Sequence, residues 1–159
     1  MDQDEKELKR ARNAAYRYLT IRARSRAEVE KKLRDREYPA DIIRSVIDYL
    51  LSMGYLDDAS FARQWAASRM RVRGLGRRRI EQELRQKGIE EFVLRDVVHG
   101  LFDETAEIDI ARKEAEKKLR TLARFEPEVR KRRLAGYLER KGFPTGVIRT
   151  LLRSLDQAN

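Results

Sequence analysis

The stretch that decides the fold runs from Val29 to Leu50 and reads VEKKLRDREYPADIIRSVIDYL. Its apolar positions are Val29, Leu33, Tyr38, Ile42, Ile43, Val46, Ile47 and Leu50. Moving on by 51 residues gives Ile80, Leu84, Ile89, Val93, Leu94, Val97, Val98 and Leu101. A further 54 gives Leu134, Leu138, Phe143, Val147, Ile148, Leu151, Leu152 and Leu155. All eight positions are apolar in all three copies, in a chain only 41% hydrophobic. Agreement on that scale is the mark of an internal repeat.

The spacing inside the pattern dictates local structure. Val29 and Leu33 lie four apart, on one face of a helix. Ile42, Ile43, Val46, Ile47 and Leu50 follow the rhythm of a second amphipathic helix. Gly88 and Gly142 fall between the two helices, where a helix ends on a residue with positive φ. The first copy has Glu37 there, a departure that predicts a different turn or local strain. Pro39 and Pro144 suit the first position of the following helix. A third helix precedes each pair, marked by Ala11-Arg12 with Ala15, Ala62-Arg63 with Ala66 and Ala111-Arg112 with Ala115. The small alanines let another helix approach closely. Copy three carries five extra residues before its second helix, expected between Thr121 and Pro127.

Caps agree with these limits. Ser25 before Arg26-Ala27-Glu28 spells a capping box, and Asp57-Asp58 can cap the helix that carries Phe61. The expectation is nine helices at roughly 4–22, 26–36, 39–53, 58–72, 76–87, 90–102, 106–122, 127–141 and 144–156. The fold class is all-α: three tandem three-helix, helix-turn-helix-like repeats in an elongated, curved arrangement. The units are read as residues 1–56, 57–104 and 105–159. No alternating strand pattern competes.

Composition narrows function. The chain has 159 residues, 40% of them charged, and no cysteine, which removes disulfides, thiolate nucleophiles and Cys-based zinc sites. No apolar run reaches the length of a membrane span, and the polar start, Met1 to Arg10, is unlike a signal or transit peptide. A cytoplasmic protein is expected. Lys and Arg total 37 against 27 Asp and Glu, a net charge of +10. Most of the basic residues are Arg, whose planar guanidinium forks onto phosphates and carboxylates. The excess grows along the chain and points to a polyanionic partner.

Two clusters concentrate that charge. Arg69, Arg71, Arg73, Arg77, Arg78 and Arg79 surround Gly74-Leu75-Gly76, read as a flexible joint between helices, with Arg63 one helical stretch before. Lys117, Lys118, Arg120, Arg124, Arg130, Lys131, Arg132 and Arg133 occupy the corresponding joint of the third copy. A pliable basic joint beside a helix N-terminus suits a polyanion. Tyr16, Tyr18, Trp65 and Phe125 offer stacking surfaces, although packing claims most of them. Catalytic chemistry finds no footing. Gly74-Leu75-Gly76 lacks the rest of a P-loop. His99 is the sole histidine, so neither His-based catalysis nor a two-His metal site can be assembled. A non-enzyme without cofactor or metal is expected.

At this point the residues resemble a known family. Gly54-Tyr55-Leu56-Asp57-Asp58-Ala59-Ser60-Phe61-Ala62, then Gly74, Gly76, Ile80, Glu83-Leu84 and Gly88-Ile89, are similar to the central signature of RecX regulatory proteins. Ser25-Arg26, Glu28-Val29 and Leu33 extend the resemblance, which covers about residues 12–155. It implies a bacterial modulator of the RecA recombinase, without catalysis or cofactor. Such a protein binds RecA and its filament on single-stranded DNA, lies along the helical groove and reduces ATP hydrolysis and strand exchange. It also implies weak DNA binding alone. A monomer is expected. The alternative is a tandem helix-turn-helix protein that binds duplex DNA directly. Its third helices offer Arg44, Asp48, Arg95, His99, Arg149 and Arg153 but little Asn or Gln for base readout.

Overall fold

A computed structural model describes residues 2–158, apart from the side chains of residues 104 and 105. Among them are nine helices and no strand. The first unit holds α1 (Asp2–Ile21), α2 (Arg26–Asp35) and α3 (Ala40–Ser52). The second holds α4 (Asp58–Arg73), α5 (Arg77–Gln86) and α6 (Glu91–Leu101), and the third α7 (Glu104–Thr121), α8 (Pro127–Arg140) and α9 (Thr145–Ala158). Every extensive helix pairing lies inside a unit, and α4 against α6 is the most extensive. The result is an elongated row with three separate cores.

The repeat pattern builds those cores. None of its twenty-four positions is exposed; Tyr38, Val93, Leu101, Leu152 and Leu155 are half-buried and the rest are buried. The paired alanines of α1, α4 and α7 are buried too, which lets the third helix of each unit approach closely. Burial of this kind is what stabilises short helices that would be marginal alone.

Several local details differ from expectation for clear reasons. Pro39 sits one position before α3, and its carbonyl accepts from the Ile43 N–H at 3.0 Å. Pro144 stands in the same relation to Ile148 at 3.1 Å. Both prolines therefore act as the half-in residue, where the missing N–H costs nothing. The extra residues of the third unit lie mainly in one added turn at the start of α8, seven residues before Leu134, where α5 begins three before Ile80. Glu37 adopts φ 65° beside Gly88 at 77° and Gly142 at 95°. The turn thus keeps its shape across the units, with an L-residue held in the left-handed region in the first.

The second helices of the three units are joined end to end, in the reverse of chain order. At the start of α5, the Gly76 and Arg78 N–H groups donate to the Lys141 and Gly142 carbonyls beyond the end of α8, at 2.8 and 3.0 Å. At the other end of α5, the Lys87 carbonyl accepts from Ser25 Oγ, the cap of α2, at 2.6 Å. Each seam presents the positive end of one helix to the negative end of another and satisfies groups that a helix terminus leaves open.

Candidate polyanion interface

The connection between α4 and α5 is a packed seam, not the flexible joint expected from its glycines. Gly74, Leu75 and Gly76 are all buried. Gly74 ends α4 at φ 62°, and a Cβ there would lie 2.1 Å from Glu114 Oε1 of α7. A Cβ on Gly76 would lie 2.6 Å from the Gly142 carbonyl group. The glycines serve close approach of the third unit.

That seam divides the first basic cluster. Arg77 is anchored: its N–H and Nε donate to the two oxygens of Glu107, at 3.1 and 2.7 Å. Glu107 is buried on α7, so α5 is capped from the next unit. Arg69 pairs with Glu83 at 3.1 Å and lies over the Trp65 ring at 4.3 Å. Trp65 Nε1 also donates to Glu83, at 3.0 Å, and Arg79 reaches the same carboxylate at 3.8 Å. Arg63, Arg71, Arg73 and Arg78 are exposed and have no acidic partner among the described residues. These four keep their charge available.

The second cluster divides in the same way. Lys117 pairs with the buried Glu114 at 3.3 Å. Lys131 pairs with Asp156 at 2.7 Å, a hydrogen bond that raises the lysine pKa. Lys118 lies over Tyr137 at 5.1 Å. The Arg124 and Arg133 guanidiniums lie over Phe125 at 4.8 and 4.1 Å, leaving their N–H edges for an anion. Arg120 and Arg132 are exposed, Arg130 half-buried, and none of the three has an acidic partner among the described residues. The added turn of α8 brings Arg130, while Lys131, Arg132 and Arg133 stand at the positions of Arg77, Arg78 and Arg79.

The stacking candidates are spent internally. Trp65 stacks on Phe61 at 5.8 Å, and Lys87 approaches its ring at 4.8 Å. Tyr18 lies under Arg24 at 3.8 Å. Tyr16 meets Tyr55 edge-on at 5.9 Å. His99 is exposed.

Acidic side chains to which the sequence pattern assigned no such role fasten the seams. Asp57 caps α4 through the Ser60 N–H at 3.0 Å, whereas Asp58 accepts from the Arg26 N–H of the first unit at 2.8 Å. Burial raises the Asp58 pKa, offset in part by that N–H. Glu28 completes no reciprocal capping box; Ser25 Oγ accepts from its N–H at 3.2 Å, but its carboxylate turns to Lys87 at 2.9 Å. Glu107 and Glu114 hold the other seam, with Tyr137 Oη and Lys141 Nζ on Glu114 at 3.1 and 3.5 Å. Repeat position was the available signal: Arg63 to Arg112 and Asp58 to Glu107 are the same step.

Comparison with known proteins follows this three-part geometry. Residues 11–50, 57–98 and 105–152 match in turn the family descriptions "RecX, first three-helix domain", "RecX, second three-helix domain" and "RecX, third three-helix domain". The chain belongs to the RecX family. A regulatory protein RecX of Thermobifida fusca is 40% identical over 144 residues, which cover 91% of this chain and 77% of that one. A regulatory protein RecX of Mycobacterium avium is 42% identical over 135 residues, 84% of this chain and 77% of the relative. The crystal structure of RecX from Lactobacillus salivarius superposes with a TM-score of 0.86 at 25% identity, covering 96% of this chain and 99% of that one. RecX relatives are named as regulatory proteins, and a regulatory role follows for this chain. Among the described residues no helix is long and apolar enough to cross a membrane, and no group of acids and histidine is placed to hold a metal ion.

Proposed function

We propose that this protein is an inhibitory modulator of the RecA recombinase, acting in DNA repair, recombination and the SOS response in the cytoplasm. It binds the RecA filament on single-stranded DNA and slows ATP hydrolysis and strand exchange. It works as a monomer, without a cofactor, and has weak affinity for DNA alone. The reading is carried by the RecX family match across all three units. The row of units taken as residues 1–56, 57–104 and 105–159 supplies its multivalency. Within the two basic clusters, Arg73, Arg78, Arg120, Arg124, Arg132 and Arg133 meet the phosphates. Arg69, Arg77, Arg79 and Lys117 act by holding the seams and helices that carry them.

The test is co-sedimentation with RecA filaments on single-stranded DNA, beside DNA alone, together with the RecA ATPase rate. Filament binding is expected to exceed binding to either component, and the ATPase to fall as protein is added. The variant Arg73→Glu/Arg78→Glu is expected to weaken binding to naked single-stranded DNA. Its salt slope should drop by about 0.7 for each phosphate that the variant no longer neutralises. Inhibition that disappears in excess DNA would mean simple competition for DNA and would favour the direct DNA-binding reading.

A further inference from the structure

The repeat makes the outer faces of the units directly comparable, and one of them is hollow. In the first unit the face between α1 and α3 is filled by aromatic rings. Tyr16 projects from α1 against Tyr55, and Tyr49 of α3 lies under Arg12, whose guanidinium is 4.1 Å from the ring centroid. A hydrogen bond to Tyr49 raises the Tyr16 pKa. The step of 51 residues carries Tyr16 to Ala67 and Tyr49 to Gly100. Two tyrosines of the first unit therefore become a methyl group and a hydrogen in the second. In the third unit the same places hold Glu116 and Ser154.

What remains between α4 and α6 is a trough of about 430 Å³, which runs on past Arg63 and Ala67 into a shallow hollow of about 480 Å³ on the face of α4. Val97 and Leu101 form part of the apolar lining between the helices, and Val72, 79% exposed, borders the hollow on α4. Arg63 and Arg71 line the α4 lip, two helical turns or about 12 Å apart. Asp96 stands on the α6 lip. Neither arginine is paired among the described residues, unlike Arg12, whose guanidinium covers Tyr49.

We propose that the trough between α4 and α6 is the contact for the protein component of the filament, receiving an amphipathic segment with a large apolar side chain flanked by carboxylates. The carboxylates meet Arg63 and Arg71, and the apolar side chain fills the space that Tyr16 and Tyr49 fill in the first unit. Two features argue for protein over nucleic acid. The trough has no aromatic ring on which a base can stack. Its lips carry opposite charge, so a phosphate backbone that suits Arg63 and Arg71 is repelled by Asp96, whereas a protein segment can match both lips. The free arginines near the seam are then left for DNA. This inference rests on the proposed function and adds which surface meets which partner.

The test restores the residues of the first unit in the second. A Cβ on Gly100 meets nothing within 4 Å, so Ala67→Tyr/Gly100→Tyr fills the trough from its open side. Val72→Glu, at an exposed position, places a carboxylate against the incoming ones and covers the case in which the double variant folds poorly. Helicity, co-sedimentation with RecA filaments and affinity for naked single-stranded DNA are measured for the full chain and both variants. The expected result is unchanged helicity, filament binding weakened about tenfold or more, and naked-DNA affinity held within about twofold. Wild-type filament binding by a folded variant overturns the trough alone. An equal loss on naked DNA also overturns it, by assigning the trough to the DNA-facing surface. If the unmodified protein fails to bind the filament, the proposed function itself falls, and the trough assignment falls with it.

Discussion

The two seams of the row occupy the same repeat positions and use different chemistry. Between the first and second units the joining groups are mostly side chains: Ser25 on the Lys87 carbonyl, Asp58 on the Arg26 N–H, and Glu28 on Lys87. Between the second and third, two backbone N–H groups of α5 donate directly to backbone carbonyls beyond α8. Glu107 and Glu114 then lock the flanks, and Lys141 Nζ donates to the Arg73 carbonyl at 2.7 Å. Glycines without side chains, Gly76 against Gly142, permit the direct contact. Side-chain seams can be released one group at a time, whereas a backbone seam holds or fails as a whole. The second and third units should therefore behave as one folding block, with the first more separable.

Cutting at each seam gives the largest expected effect. A chain of residues 1–103 should lose the support of α5, and amide protection around Ile80 and Leu84 should fall about 100-fold or more, roughly 3 kcal/mol. A chain of residues 54–159 should keep that protection and unfold in one transition. Equal protection in the two fragments would break the comparison. Next in size is Glu107→Ala, which removes the buried acceptor at the start of α5. It should cost about 1–3 kcal/mol in urea unfolding. Arg77 is partly exposed, so water takes up its charge and limits the loss. The smallest effect is Ser25→Ala, about 1 kcal/mol for a lost cap. A Ser25→Ala cost above that of Glu107→Ala would reverse the ranking of the seams.

The helices were legible because the pattern from Val29 to Leu50 is set by burial against the same unit, and burial leaves its period in the sequence. Gly74 and Gly76 were not legible in the same way. Their reason for being glycine is Glu114 and Gly142, forty and sixty-six residues further on, so a local reading sees only freedom where the fold uses closeness. The arginines show the same division. Residue type alone marked both clusters as basic, but which guanidiniums are free depends on Glu83 and Glu107, brought in by other helices. Glu107 was within reach, since the repeat aligns it with Asp58. Trough residues such as Ala67 and Gly100 carry their meaning only by comparison with Tyr16 and Tyr49.

Glu37 has one more consequence. At Gly88 and Gly142 a side chain would collide with Ala27 and Arg79 of the preceding unit, each 2.3 Å from the Cβ position. Glu37 occupies that place in the first unit, where it is exposed, and holds a left-handed backbone that disfavours L-residues by roughly 1–2 kcal/mol. A glycine there would leave a vacant socket of the kind that seats the next unit elsewhere in the row, and head-to-tail contacts that do not close on themselves grow into fibres. With a glutamate side chain in that place, a helix start could not approach the end of α2 as closely as those of α2 and α5 approach Gly88 and Gly142.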